Sequence, residues 1–442
     1  MNIALFWSIF VVLSIAYFAI AIGAARPFDV GEDFFFAHRR FGFMSMALSL
    51  AATQIGAGLV LGSSQESYRF GILGMCYSLA IGCGLLIMSL FLVKKLRKEN
   101  IKTIGEFFEI KYKSSGLRKV VSILSIISLT GILSSQIIAS RLIIKATIGP
   151  QSGVLIAFWL MVITYTMIGG FRAVVATNIM QLAVVLSVFT AAVFLLKLKP
   201  VLPMTIKSFL AYDARFDTAD WSHLGALFFL PLGYCLVGQD LAQRFFCARG
   251  PRTASLAALV AALVVVIFAL MPVLIGFDVR LSSNYTPMSD YLLLDYVKTR
   301  LDPFFYYLLV CAVIAAISST ADAALCALGS SITEDFSLST ILPYSRALIL
   351  FVGLSALIIA YQFDDILSVL SLSYELSVSV VLVPFLCAVL LKQPKLTAAV
   401  FSMLFGLAGF LIIRFLPIYP LKELFACGLS LIGYIFAHLR RT

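Results

Sequence analysis

Residues Ala315 to Phe336 read AAISSTADAALCALGSSITEDF. The stretch is long enough to cross a bilayer as a helix. Yet Ser318, Ser319, Thr320, Asp322, Ser330, Ser331 and Thr333 stand among its alanines and leucines. Polar groups in hydrocarbon are costly unless they face protein, water or an ion. Two readings stand: a transport path lined by hydroxyls, or a seam of small residues that lets helices approach closely.

The chain around this stretch reads as a membrane protein. Of its 442 residues 61% are hydrophobic and 12% charged, against about a quarter charged in soluble domains. Mean hydropathy is +1.03. The net charge of +11 is read as a matter of topology, and no nucleic-acid motif accompanies it. Eight cysteines form no CxxC pair, and His38, His223 and His438 are scattered. The cysteines read as small buried hydrophobes, not as a disulfide framework or metal site. Met1 to Ala25 carries no charged side chain. It lacks the basic start and short apolar core of a signal peptide, so a retained first span is expected.

Spans of about 20 apolar residues are expected at thirteen places: 4–25, 43–66, 70–93, 120–143, 152–170, 173–196, 222–241, 254–277, 304–328, 347–363, 366–391, 396–414 and 422–439. Twenty-one of the 33 Lys and Arg fall on one side of this layout, nine of them between Lys94 and Lys119; Arg26 and Arg441 are in the tally. That side is assigned to the cytoplasm, with the N-terminus outside and the C-terminus inside. The outer loops 199–221 and 279–303 are each expected to hold a short surface helix. The whole chain, 1–442, is read as one membrane domain.

The second span, FMSMALSLAATQIGAGLVLGSS, carries Thr53 and Gln54 followed by Gly56, Gly58 and Gly62. Glycine favours local unwinding, and broken helices are how many transporters present backbone oxygens at mid-membrane. Carbonyls near Ala52 and Ile55 are therefore candidate ligands; a glycine-rich packing face is the competing reading. In the ninth span Ala316, Ser319 and Thr320 stand at i, i+3 and i+4, on one helix face. Two hydroxyls and a carbonyl there, with two carbonyls from the second span, make a five-oxygen cage. Oxygen ligands suit hard cations, and the lack of a carboxylate favours sodium over calcium. Gln136 and Gln181 read first as hydrogen-bond partners between helices. Asp240 is expected at the cytoplasmic end, paired with Arg244. Glu375 is a deep carboxylate that needs a cavity or a partner.

Four stretches resemble the sodium/solute symporter family, which includes the sodium/proline and sodium/galactose symporters. They are DFFFAHRRFGFMSMALSLAATQIGAG (33–58), TIGEFFEIKY (103–112), TYTMIGGFRAVVATNIMQ (164–181) and the opening stretch. The resemblance implies an all-α integral membrane protein of leucine-transporter type. It would hold two inverted five-helix repeats, 43–196 and 222–391, with one helix before and two after. The family's sodium site falls on Ala52, Ile55, Ala316, Ser319 and Thr320. Solute contacts are expected from Gln54, Tyr234, Gln136 and Glu375, and gating or ion release from Asn178 and Asp322. Many relatives carry Asp where this chain has Asn178, and the proline type carries Asp where it has Gln54. FFLPLGYCLVGQD (228–240) corresponds to the unwound part of the second repeat's first helix, with Pro231 and Gly233 as candidate breaks. Leu59 and Pro231 replace sugar-binding side chains of the galactose type, so a sugar is disfavoured.

The function expected is sodium-coupled symport of a small organic solute into the cytoplasm, with an amino acid such as proline or a small carboxylate favoured. The partners are sodium, the solute and the lipid bilayer. The location is a cell membrane, the bacterial inner membrane, with the protein a monomer or loose oligomer. The alternatives are proton coupling through Glu375 or Asp322, or a sensor-like relative that does not transport. An enzyme is not expected: no nucleophile–base pair stands out.

Overall fold

The computed structural model describes residues 3–25, 31–196, 218–282, 292–337, 342–363, 365–415 and 422–440. Arg26 and Arg441 of the charge tally and most of the expected outer loops, at 199–217 and 283–291, lie outside the described residues. Of the expected surface helices, the one in 279–303 is present as Leu292–Arg300.

The described chain is nearly all helix. Its boundaries follow local chemistry. The helix carrying the opening stretch runs Pro303–Asp335. Asp302 caps it, accepting from the backbone N–H of Phe304 at 2.9 Å and Phe305 at 3.3 Å, and Pro303 sits where a missing N–H costs nothing. Ser114 likewise caps Ser115–Ile148 through Leu117 N–H. Thr103 caps the short helix Ile104–Tyr112 through Glu106 N–H.

Nine helices among the described residues are long and apolar enough to cross a membrane, or ten if the bent pair Asp220–Val237 and Gln239–Cys247 is one span. The count differs from the thirteen expected because two pairs of neighbours run together, one expected span is the bent pair, and the one at 347–363 is the shorter apolar helix Arg346–Ala360. Gly58–Lys98 is a single 41-residue stretch and Ser152–Leu195 a 44-residue one. Burial sorts centre from rim. In the most apolar window of Pro303–Asp335, 94% of residues are buried, against 17% for Ile3–Ala24. The polar helix is thus the axis of the bundle, packed by Ser115–Ile148 and Ser152–Leu195.

The long stretch Ser152–Leu195 is broken at Gly170, whose backbone lies at φ 54°, ψ −149°. A Cβ there would stand 2.4 Å from the Phe34 carbonyl oxygen. Gly170→Ala should therefore lower stability by at least about 1–3 kcal/mol from backbone strain alone. A lower melting temperature of the purified protein would register it; an unchanged one would contradict it.

At one end of the bundle the axial helix is pinned by charge. Asp335 accepts from the Thr103 hydroxyl at 2.5 Å and from Arg118 Nε at 2.8 Å. Arg118 also reaches Glu109, and Lys102 pairs with Glu334 at 3.0 Å. Ile104 N–H donates to Gln239 Oε1 at 2.9 Å. The TIGEFFEIKY stretch is thus a capped helix that ties the axial helix to the start of Gln239–Cys247.

Candidate functional site

Helix Phe43–Gln54 stops at Ile55, where φ is −87° and ψ 70°. A π-helical turn, Gly58–Gly62, follows. In an unbroken helix Ala57 N–H would donate to Thr53. Here it donates instead to Gln136 Oε1 at 3.0 Å, and Thr320 takes the released carbonyl. The Thr320 hydroxyl lies 2.8 Å from Thr53 O and 3.5 Å from Ala316 O. The Ser319 hydroxyl lies 2.9 Å from Ala52 O and 2.8 Å from Ala316 O. The structure therefore joins Ala52, Ala316, Ser319 and Thr320, with Thr53 contributing a carbonyl beside them. Ile55 marks the break, and among the described residues no hydrogen bond joins its carbonyl to the two hydroxyls.

Close approach is built into this junction. A Cβ on Gly56 would sit 2.5 Å from Thr320 Oγ1, so only glycine lets the broken backbone meet the axial helix. The five oxygens gathered here are three carbonyls and two hydroxyls, all neutral and hard. That donor set fits a weakly held monovalent cation such as sodium. Binding one would require both hydroxyls to turn their protons away from the carbonyls.

Beside the junction lies a small pocket of about 10 Å³, room for about one water. Gln54, Gln136, Tyr234, Asp240, Tyr77 and Tyr374 line it, with Thr320 on its wall. The Tyr234 and Tyr374 rings stack at 4.4 Å, and the Tyr77 and Tyr374 hydroxyls meet at 3.3 Å. Three of the four expected solute contacts, Gln54, Gln136 and Tyr234, thus share one pocket. Glu375 does not join them. It pairs with Arg414 at 2.5 Å and lines a separate cavity toward the helix ends.

Two expectations change in this region. The helix break falls at Gly238, extended at φ −65°, ψ 123°, while Pro231 lies inside the helix Thr218–Val237. The bend there is 41°. Asp240, expected as an ion-pair partner of Arg244 at the cytoplasmic end, lines the central pocket. The new helix starts at Gln239, so Asp240 lies in its first turn and turns back toward Tyr234, whose hydroxyl donates to Oδ1 at 2.8 Å. Arg244 Nη1 meets the Asp240 backbone carbonyl instead, at 2.7 Å.

Arg244 is 1% exposed and stands over the Phe171 ring. Its Nε lies 3.3 Å from Ser49 Oγ. Asn178 sits between Arg244 and Asp322. One orientation of its amide satisfies both neighbours: the nitrogen donates to Asp322 Oδ1 at 3.1 Å and the oxygen accepts from Arg244 Nη2 at 3.2 Å. The reverse would set NH₂ against the guanidinium. Tyr165 and Thr177 donate to Asp322 Oδ2 at 3.0 and 3.3 Å. The two residues expected at the gate, Asn178 and Asp322, are therefore neighbours. A carboxylate does occupy this region, carried by the axial helix. Gln181 donates to Ser318 at 3.0 Å, an interhelical bond as expected.

Sequence reasoning named Asp240 and Arg244 together but missed that Tyr234 and Tyr374 join Asp240 at the central pocket; no spacing in the sequence signals it.

Residues 34–406 match the model of the sodium:solute symporter family. The sodium/pantothenate symporter of Escherichia coli (strain K12) is 26% identical over 175 residues, 38% of this chain and 36% of that protein. The matches to the first curated relatives span 36%, 28% and 33% of those proteins' length. The high-affinity choline transporter 1 of Caenorhabditis elegans is 23% identical over 431 residues, 89% of this chain and 72% of that protein. Among solved structures, the substrate-bound outward-open state of a Na⁺-coupled sialic acid symporter superposes with a TM-score of 0.82 at 16% identity, covering 99% of this chain and 98% of that one.

Proposed function

The chain belongs to the sodium:solute symporter family, a family of multi-pass membrane transporters and not of enzymes, and we propose that it couples sodium to the uptake of a small organic solute by alternating access. The observation that carries this reading is the pair of contacts from Ser319 to the Ala52 carbonyl and from Thr320 to the Thr53 carbonyl. Sodium held by Ala52, Ala316, Ser319, Thr320 and a carbonyl of the 53–55 break ties the first broken helix to the axial one. That tie shifts the population of states available to the solute.

Thirteen spans remain our reading of the topology. Ser152–Leu195 is broken at Gly170, and its two parts make two passes. Gly58–Lys98 is broken at Gly71, φ 62°. Its first part completes the span that Phe43–Gln54 begins, and the rest makes the next. The repeats 43–196 and 222–391 are supported by their first helices, each interrupted midway, at Ile55 and at Gly238. The lysine-rich side faces the cytoplasm, with the N-terminus outside and the protein in the bacterial inner membrane. All these residues come from one chain, so a monomer suffices.

Gln54, Gln136 and Tyr234 would contact the solute, and Asn178 and Asp322 would govern ion release. The relatives are named for pantothenate, monocarboxylates, iodide and choline. Nothing in that set favours proline; small carboxylates are the class we favour. In purified protein, sodium should raise the melting temperature above that in equal potassium. The gain is about 2.7 kcal/mol at a hundredfold excess over the dissociation constant. Equal melting temperatures, with uptake driven by a pH gradient in sodium-free buffer, would instead mark proton coupling through Asp322.

A further inference from the structure

A cavity of about 520 Å³ opens on the rim of the bundle, where three helices meet. Gly23 and Ala24, in the last turn of Ile3–Ala24, form one wall. That helix is the least buried of the candidate spans. Phe41 and Ser45, at the start of Phe43–Gln54, form the second wall. The third belongs to Ser152–Leu195, from Arg172 to Ile179, just past the break at Gly170. Arg40, on the connection into Phe43–Gln54, completes the lining.

Two cations face this space without a partner. Arg40 is exposed and Arg172 half-buried, so both are open to an incoming group. Among the described residues neither side chain makes a hydrogen bond or an ion pair, and nor does the Ser45 hydroxyl. Nearby arginines are engaged: Arg39 donates to the Asn100 carbonyl at 2.9 Å and Arg97 to the Ala248 carbonyl at 3.1 Å. A guanidinium keeps its charge at neutral pH and presents five donors in a planar fork. That fork matches phosphate oxygens. Two like charges on one cavity also repel, which an anion between them relieves.

The remaining wall is apolar and leads away from the charges. Arg172, Val175, Ala176 and Ile179 stand at i, i+3, i+4 and i+7, along one face of their helix. That face extends about 10 Å from the arginine. Opposite it the first helix offers Gly23, where an added Cβ would meet nothing within 4 Å. A charged head joined to an apolar groove matches a phospholipid better than a free anion. Basic recesses between spans suit anionic headgroups in this way. An occupant here would also brace the bundle: the Phe41 ring meets Phe171 edge-on at 5.6 Å, and Arg244 lies over Phe171.

We propose that this cavity binds an anionic phospholipid, with the phosphate held by Arg40 and Arg172 and one acyl chain laid along Val175, Ala176 and Ile179. The leaflet that supplies it follows from the orientation proposed above; the binding itself does not depend on it. The test uses full-length protein in a neutral detergent, titrated with dioleoylphosphatidylglycerol and followed by melting temperature and native mass spectrometry. The lipid should raise the melting temperature to a plateau and persist as a bound adduct. Dioleoylphosphatidylcholine, with the same tails and no net charge, should bind about tenfold more weakly. Inorganic phosphate at the same concentration should give no shift. Arg40→Met and Arg172→Met should each weaken phosphatidylglycerol about tenfold, the loss of one charge-assisted contact. Ala176→Trp, which fills the groove and leaves both arginines, should weaken it as well. Lys119→Met, at an exposed cation of Ser115–Ile148, should change nothing, and melting without lipid controls for folding. No phosphatidylglycerol shift, an equal response to phosphatidylcholine or to phosphate, or an equal loss in Lys119→Met overturns the site. A missing sodium shift beside intact lipid binding overturns the coupling reading and leaves this site standing.

Discussion

Ser319→Ala combined with Thr320→Ala should abolish the sodium-induced rise in melting temperature and sodium-stimulated uptake into proteoliposomes. The two hydroxyls supply two of the five oxygens at the junction; the other three are backbone carbonyls. Each lost ligand should weaken the ion by about tenfold, so the pair should cost about a hundredfold. The fold should survive. The variants do leave the Ala52 and Thr53 carbonyls without their partners, at about 1–3 kcal/mol each. The expected phenotype is a somewhat less stable protein that no longer distinguishes sodium from potassium. Thr320→Ser keeps the oxygen and should keep the distinction. A double variant that still responds to sodium would move the ion elsewhere.

Arg244→Met should be the most destabilising single change to a polar residue in the bundle. Asp240 is 4% exposed and Asp322 wholly buried, and Arg244 is the cation that interacts with both. Removing one partner of a buried charge set costs about 3–5 kcal/mol, because the remaining charge is stranded. Methionine preserves most of the packing, which separates charge from volume. The check is thermal unfolding of the single variant and of Arg244→Met with Asp322→Asn. The second substitution removes one stranded carboxylate and should recover part of the loss, a coupling visible in a double-mutant cycle. Independent, additive effects would contradict the bridge through Asn178.

The axial helix was legible in the sequence because a helix has a period. Ala316, Ser319 and Thr320 at i, i+3 and i+4 must share a face, and the structure sets that face against Ala52. That the Thr320 hydroxyl would meet the Thr53 carbonyl was not legible. A break releases several carbonyls at once. Which one is taken depends on Gln136, 79 residues away, claiming the Ala57 N–H. The i, i+4 spacing of Asp240 and Arg244 suggested a side-chain pair. The extended Gly238 restarts the helix and turns the carboxylate toward Tyr234 instead. Glu375 shows a further limit. Its depth along the chain matches that of Tyr374, but adjacent residues on a helix point about 100° apart, and here they face different chambers. The bend was expected at Pro231 because proline removes a hydrogen bond, yet the helix absorbs that loss and yields at the glycine seven residues on.

The tyrosine stack above a chamber of about 10 Å³ bears on what any affinity measurement will read. A solute of even a few heavy atoms does not fit until the Tyr234 and Tyr374 rings part. The observed dissociation constant is then the intrinsic one divided by the fraction of molecules already parted. If one molecule in about a hundred is open, a tight site reads as a hundredfold weaker one. A substitution that merely loosens the rings, touching no solute atom, would sharpen the apparent affinity. Under the proposed reading of this pocket as the solute site, the aromatic pair would act as a gain setting on affinity, adjustable without altering what is recognised.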